Sequence, residues 1–188
     1  MFVAIVGPSG AGKDTLIRAV AEAVRHQPGI IFVRRVITRI SDGTTEDHDT
    51  MTPEAFEAGR VAGMFCLSWG AHGLFYGLPQ SALDAVVRGN TVVANISRGI
   101  LDEAVKTFGR IAVVEITARP EILAERIIAR GRESADEASG RIVRSVDFHV
   151  PAAACSYVRI DNSGPIDVAK NRFIEVLGSG GDTFGLPA

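Results

Sequence analysis

The chain has 188 residues with 46% hydrophobic content, enough for one well-packed core and short for two, so a single domain over residues 1–178 is expected. Its 20 basic and 22 acidic side chains leave a formal charge of -2 with no sustained basic run, which argues against a nucleic-acid partner or a membrane surface. Cys66 and Cys155 stand far apart and outside any metal-ligand spacing, so two buried, reduced thiols are expected rather than a disulfide or a zinc site.

Apolar runs alternate along the chain with helix-length amphipathic stretches, the pattern of a parallel sheet covered by helices. Residues 2–6 are apolar and stop at Gly7 and Pro8, too short a run for a signal-peptide core or a membrane span. They read as a buried strand, and a cytoplasmic protein is expected. A helix over 13–25 and a strand over 30–36 follow. The long stretch 38–77 is polar over 41–50, then carries a short helix at 53–60 and a strand-like run at 64–69. It reads as an insertion between sheet strands. Helices over 79–88, 101–108 and 120–129 alternate with strands over 91–96 and 111–116. Residues 131–140, rich in small and charged side chains, read as a mobile flap. A helix over 136–147, a strand over 157–160 and a helix over 165–177 complete the order. Pro79, Pro120 and Pro165 each suit a first helical turn, where the missing N–H costs nothing. The tail 179–188 has no periodicity and is expected to be disordered. The sum is a three-layer α/β domain with a five-stranded parallel sheet.

Between the first strand and first helix lie Gly7, Pro8, Ser9, Gly10, Ala11, Gly12, Lys13, Asp14 and Thr15. A glycine-rich loop in this setting turns backbone N–H groups onto phosphate oxygens, and the helix N-terminus adds positive potential. Lys13 is the expected contact to the β- and γ-phosphates of ATP. The loop matches G-x-x-x-x-G-K-[ST] except at its last position, where Asp14 replaces Ser or Thr. A carboxylate beside those phosphates is repelled by about 4 kcal/mol at an effective dielectric near 20, so a cation must intervene. Mg²⁺ is the natural candidate, with Asp14 as its ligand; the plainer alternative is that Asp14 only caps the helix.

Arg34, Arg35 and Arg39 lie within six residues beside Thr38, and such clustering points to phosphate contact. If 33–39 is extended, its period of two puts Arg35 and Arg39 on one face, roughly 13 Å apart at about 3.3 Å per residue. Two separated cations suit a ligand with a phosphate at each end. Arg126 and Arg130 share a helix face, mildly unfavourable for like charges unless an anion such as ATP sits between them. Pairing with Glu125 and Glu133 is the duller alternative. Trp69, His72 and Tyr76 either wall the insertion or reach a ligand; Trp69 and Phe75 read as packing, and Tyr76 has the better case for ligand contact. Asn95 and Ser97, at a strand end facing the cradle, either line the site or cap the next helix. Asn162 either meets the adenine or holds a turn.

From residue 2 to about 177 the sequence resembles the guanylate-kinase group of P-loop kinases. The T-T-R and N-Y-Y-G segments of that group look like Ile37-Thr38-Arg39 and Leu74-Phe75-Tyr76-Gly77, and its lid arginines look like Arg126, Arg130, Arg132, Arg141 and Arg144. Guanine-reading acids are missing: no Asp or Glu occurs between Glu57 and Asp84, and the D-x-D strand end reads Asn95-Ile96-Ser97. A purine's N–H donors would lack their acceptors, so guanine is not the expected substrate. The chain resembles more closely the ribose 1,5-bisphosphate phosphokinases of phosphonate breakdown. The residues carrying this are the cradle with its Asp14, Arg35-Val-Ile-Thr-Arg39, Glu46-Asp-His48, Leu67-Ser-Trp-Gly-Ala-His-Gly-Leu-Phe-Tyr-Gly77, Asn95-Ile-Ser-Arg98 and Arg130-Gly-Arg-Glu133.

That resemblance implies a guanylate-kinase-like P-loop kinase fold with an acceptor-binding insertion at about 38–77 and an arginine-bearing lid at about 130–141. It implies ATP, Mg²⁺ and a small phosphorylated sugar as ligands. Lys13, Asp14, Arg126, Arg130 and Arg141 are then the catalytic set, and residues 7–15 with Arg126 and Arg130 hold ATP. Arg35, Thr38, Arg39, His48, Tyr76, Asn95, Ser97 and Arg98 bind the acceptor, and Asp14 holds the metal. A phosphate acceptor is already an anionic nucleophile, so no general base is required. The alternatives are a nucleoside monophosphate kinase and a non-catalytic guanylate-kinase-like binding module; the intact Gly12-Lys13 speaks against the latter.

Overall fold

The computed structural model describes residues 1–38, 48–129 and 149–178. The expected lid and flap, the helix over 136–147 and the tail 179–188 lie outside these residues. The first half of the chain runs β1 (Phe2–Val6), α1 (Lys13–Ala23), β2 (Ile30–Phe32), β3 (Arg35–Ile37), β4 (His48–Thr50), α2 (Pro53–Val61), β5 (Phe65–Ala71) and β6 (Leu74–Pro79). The second half runs α3 (Gln80–Val87), β7 (Thr91–Asn95), a 3-10 turn (Arg98–Ile100), α4 (Leu101–Phe108), β8 (Ile111–Thr117), α5 (Pro120–Ala129), β9 (Ser156–Asp161) and α6 (Ile166–Gly178).

Five strands form one all-parallel sheet in the order β2-β7-β1-β8-β9. The central β1 is buried at every position, because helices cover both faces and a strand covered twice must be apolar throughout. On one face Val3, Ile5, Val114 and Ile116 pack against Leu16 and Val20 of α1, Leu123 of α5 and Phe173 of α6. On the other, Phe2, Ala4, Val6 and Val113 meet α3 and α4 together with Leu67, Trp69 and Leu78 from the insertion. Each of the larger side chains so buried contributes about 1.5–3 kcal/mol. Parallel strands place all their C-terminal ends on one edge. That edge carries Gly7, Asn95 and Thr117, and it is where the site is built.

The insertion forms a second sheet, ordered β4-β3-β6-β5, whose strands run from Arg35 to Pro79 rather than 38–77. The single strand expected over 30–36 is two strands in different sheets. β2 ends beside β7, with Val33 N–H still donating to Val93 O at 2.9 Å, and β3 then pairs with β4 and β6. Residues 30–37 contain no glycine or proline to mark such a switch. β6 likewise went unannounced. It pairs with β5 through a two-residue turn at His72 and Gly73, φ 53° and 72°, so His72 sits exposed at a hairpin tip rather than in a wall. No described helix is long and apolar enough to cross a membrane.

Candidate active site

Gly7 leaves β1 with φ 145°, and a Cβ there would stand 2.1 Å from the Ile116 carbonyl oxygen, so only glycine can turn the chain off the sheet here. Gly12, at φ 78°, is the N-cap of α1, where the helix's unpaired N–H groups begin. Lys13 Nζ donates to the Gly7 and Pro8 carbonyls at 2.8 and 2.9 Å, which keeps the ammonium on the loop. Ser9 and Thr15 are exposed, Pro8 is half-buried, and Gly10 and Ala11 are buried beneath them.

Asn162 fastens the loop from behind. Its buried Nδ2 donates to Ala11 O at 2.8 Å, and its backbone oxygen accepts from Arg126 Nη2 at 3.0 Å. It therefore holds the cradle rather than a turn of its own. Arg126 Nη1 is buried with no hydrogen-bond partner among the described residues, and it lies 3.6 Å from where a Gly12 Cβ would stand. An orphaned guanidinium donor beside a glycine cradle fits a bound phosphate, since a buried donor without an acceptor is costly.

Four of the candidates, Arg35, Tyr76, Asn95 and Ser97, join Asp14 and Trp69 in one circuit of contacts linking the two sheets. Asp14 Oδ1 accepts from Asn95 Nδ2 at 2.7 Å, and its Oδ2 lies 3.8 Å from Arg35 Nη2. The Arg35 guanidinium stands 5.7 Å from the Tyr76 ring centroid, within cation–π range. Tyr76 stacks on Trp69 at 5.5 Å and 10°, and the Trp69 indole N–H donates to Ser97 Oγ at 2.8 Å. Ser97 is two residues from Asn95, which closes the circuit. The N-cap of α1 is Gly12, which has no side chain, and Asp14 stands in the first turn with Asn95 and Arg35 as its partners. Ser97 makes no side-chain capping bond.

Of the remaining candidates, Thr38 and Arg98 make contacts elsewhere. The Thr38 hydroxyl accepts from Phe75 N–H at 2.9 Å and holds β3 to β6. His48 stands in backbone register with Arg35, and its side chain lies outside the description. Arg39, Arg130, Arg132, Arg141 and Arg144 lie outside the described residues. Arg98 turns toward Glu115, 3.7 Å away.

Glu115 escaped the sequence reading altogether. It is only 4% exposed, in register with Val6, and takes hydrogen bonds from Tyr157 Oη at 2.6 Å and Arg159 Nε at 2.7 Å. The signal was an acid inside the apolar run of 111–116. Burial pulls the Arg98 guanidinium below its ordinary value while Glu115 pulls it back up, and the hydrogen bond to Glu115 raises Arg159. Both remain cationic at neutral pH, given how high arginine titrates. Two arginines and a phenol thus anchor one buried carboxylate at the strand end next to the cradle.

A strand-loop-helix phosphate cradle at the C-terminal edge of a parallel sheet, facing an inserted second sheet, defines a P-loop kinase. Among solved structures, the guanylate kinase from Anaplasma phagocytophilum superposes with a TM-score of 0.66 at 19% identity, covering 96% of this chain and 85% of that one. That likeness carries the fold. No protein-family model matches. The ribose 1,5-bisphosphate phosphokinase PhnN of Brucella melitensis is 43% identical over 176 residues, 94% of this chain and 91% of its own. The protein of the same name from Agrobacterium fabrum is 43% identical over 181 residues, 94% of this chain and 95% of its own. The chain belongs to the ribose 1,5-bisphosphate phosphokinase family.

Proposed function

We propose that this chain transfers the γ-phosphoryl group of ATP to the 1-phosphate of ribose 1,5-bisphosphate, giving 5-phospho-α-D-ribose 1-diphosphate and ADP, in the cytoplasm and in phosphonate catabolism. The observation that carries this reading is Arg35, 3.8 Å from Asp14 of the cradle and set over Tyr76. It provides a cation for an acceptor phosphate next to the donor, on an insertion with no acid between Glu57 and Asp84. The relatives' name supports the choice of sugar bisphosphate.

In this reading one domain over residues 1–178 carries both substrates. Residues 7–15 hold the donor phosphates, Lys13 and Arg126 stabilise charge developing between the β- and γ-phosphates, and Arg130 and Arg141 join them from the lid. Arg35 and Tyr76 orient the acceptor, with Thr38, Arg39, His48, Asn95, Ser97 and Arg98 around it. The bond from γ-phosphorus to the bridging oxygen breaks as a bond to the acceptor's phosphate oxygen forms. The acceptor oxygen is ionised near neutral pH, so positioning and neutralisation do the catalysis.

Mg²⁺ needs few protein ligands when phosphates supply the rest, so the lack of any three-ligand acidic or His/Cys cluster among the described residues is compatible with it. The donor set fits: the Asp14 carboxylate, with the buried Asn95 Oδ1 left without a hydrogen-bond partner. Asp14 would hold the ion directly or through one water, and the ion would supply positive charge against the donor phosphates. The test is a phosphate-transfer screen with ATP against ribose 1,5-bisphosphate, GMP, AMP, dTMP and ribose 5-phosphate. Turnover with ribose 1,5-bisphosphate far above the rest is expected; GMP turnover at or above it would overturn the assignment.

A further inference from the structure

Trp69 is the chain's single tryptophan, and it lies on the acceptor side of the circuit. On β5 its neighbours Ser68 and Gly70 are exposed, while its own side chain is 7% exposed and joins the core cluster of the main sheet. The indole is fixed on two sides. Its N–H donates to Ser97 Oγ, two residues past Asn95, and its ring lies parallel to Tyr76, over which Arg35 stands. The stacked rings therefore lie between the insertion sheet and the C-terminal end of β7, next to the cation proposed to meet the acceptor phosphate.

Indole and purine are fused bicyclic aromatics of nearly the same outline. A nucleoside monophosphate whose phosphate reached Arg35 would have to place its base in this part of the cleft. To admit the base, Trp69 would have to give up its stack, leave the core and abandon Ser97. We propose that Trp69 is a specificity-determining residue: its side chain occupies the volume a nucleobase would need, restricting the acceptor to a base-less sugar phosphate. This rests on the reading of the cleft as the acceptor site. It adds a steric exclusion to the lack of acidic base-reading groups, and the two act independently: a missing hydrogen bond weakens a base that has entered, whereas a filled volume keeps every base out.

The single tryptophan makes the wild-type protein its own probe. Ribose 1,5-bisphosphate should change Trp69 emission saturably, and GMP and AMP should leave it unchanged at the same concentrations. In Trp69→Ala, GMP and AMP should bind by calorimetry, and the ratio of kcat/KM for ribose 1,5-bisphosphate over GMP should fall by about 100-fold, the scale on which pockets discriminate by size. Added indole should refill the space, displace the nucleotide and restore the ratio. A purely structural Trp69 would lower every acceptor's turnover in proportion and leave the ratio unchanged, which would overturn the proposal. Equal emission changes with GMP and ribose 1,5-bisphosphate in wild type would overturn it without any variant. Failure of the functional reading is separate, since it appears as absent turnover of ribose 1,5-bisphosphate by wild type, whatever the variant binds.

Discussion

Replacing Asp14 with Asn removes one negative charge from the point where cradle and acceptor side meet, at almost constant shape. At 3.8 Å from Arg35 the lost attraction is about 4 kcal/mol gross at an effective dielectric near 20. Both side chains keep some solvent access, 15% and 17%, and the separation is too long for a hydrogen bond, so the net term is about 1 kcal/mol. Arg35 is then released to the acceptor, and ribose 1,5-bisphosphate without nucleotide should bind about fivefold more tightly. The fold should survive, because the Asn95 amide can turn to offer its unpartnered Oδ1 to the new side chain. Catalysis should not survive intact. With the proposed metal ligand gone, kcat should drop and its dependence on Mg²⁺ flatten, and adding Asn95→Asp should recover part of the loss by restoring a carboxylate one hydrogen bond away. Calorimetry with the acceptor alone and a Mg²⁺ titration of the rate supply the two readouts. Unchanged acceptor affinity together with unchanged activity across the titration would refute both the coupling to Arg35 and the metal role.

Arg35→Ala should chiefly raise KM for the acceptor, while Lys13→Ala should chiefly lower kcat, because the first group binds in the ground state and the second meets charge that develops in transfer; steady-state kinetics showing the effects interchanged would reverse the assignment. The Tyr157 phenol is pushed above its ordinary value, first by burial and then by the bond it donates to Glu115. The folded state thus holds this proton more tightly than the unfolded chain, which adds stability that is full below about pH 10 and is lost as pH rises through the folded value. Thermal melts should show Tyr157→Phe losing less stability than wild type across that alkaline range, and parallel curves would exclude the linkage.

The main sheet was legible because a strand covered on both faces is a continuous apolar run, and residues 2–6, 91–95 and 111–117 differ from their expected bounds by no more than a residue. The cradle was legible because glycine at Gly7 and Gly12 is a backbone necessity that leaves a fixed spacing. The insertion was not. Its hairpin turns at His72-Gly73, where the left-handed first position carries histidine instead of the usual Asn or Asp, so the turn signal was weak. The break between β2 and β3 involves no special residue at all. Arg35, Tyr76 and Asn95 are candidates on sequence alone, but their mutual placement depends on non-local pairing, such as Ile37 with Tyr76, that no local pattern encodes. Trp69 read as packing, and it does pack; what composition hides is that it packs against Ser97 at the strand end facing the cradle.

Three described cations of the candidate site, Lys13, Arg35 and Arg126, each already face a protein oxygen. Lys13 donates to the Gly7 and Pro8 carbonyls, Arg35 faces Asp14, and Arg126 Nη2 donates to the Asn162 carbonyl. Carbonyl dipoles and one carboxylate thus fix the positions of these three cations. In the proposed reading an incoming phosphate would exchange one set of oxygens for better ones, with little reorganisation of the cations, and that is the condition under which electrostatic stabilisation is strongest. The same logic explains why no general base is needed and why the one buried acid among the described residues, Glu115, is no candidate. Its Oε2 accepts from both Tyr157 and Arg159 and its Oε1 faces the Arg98 guanidinium at 3.7 Å, so three partners hold it as a fixed counter-charge rather than as a proton carrier.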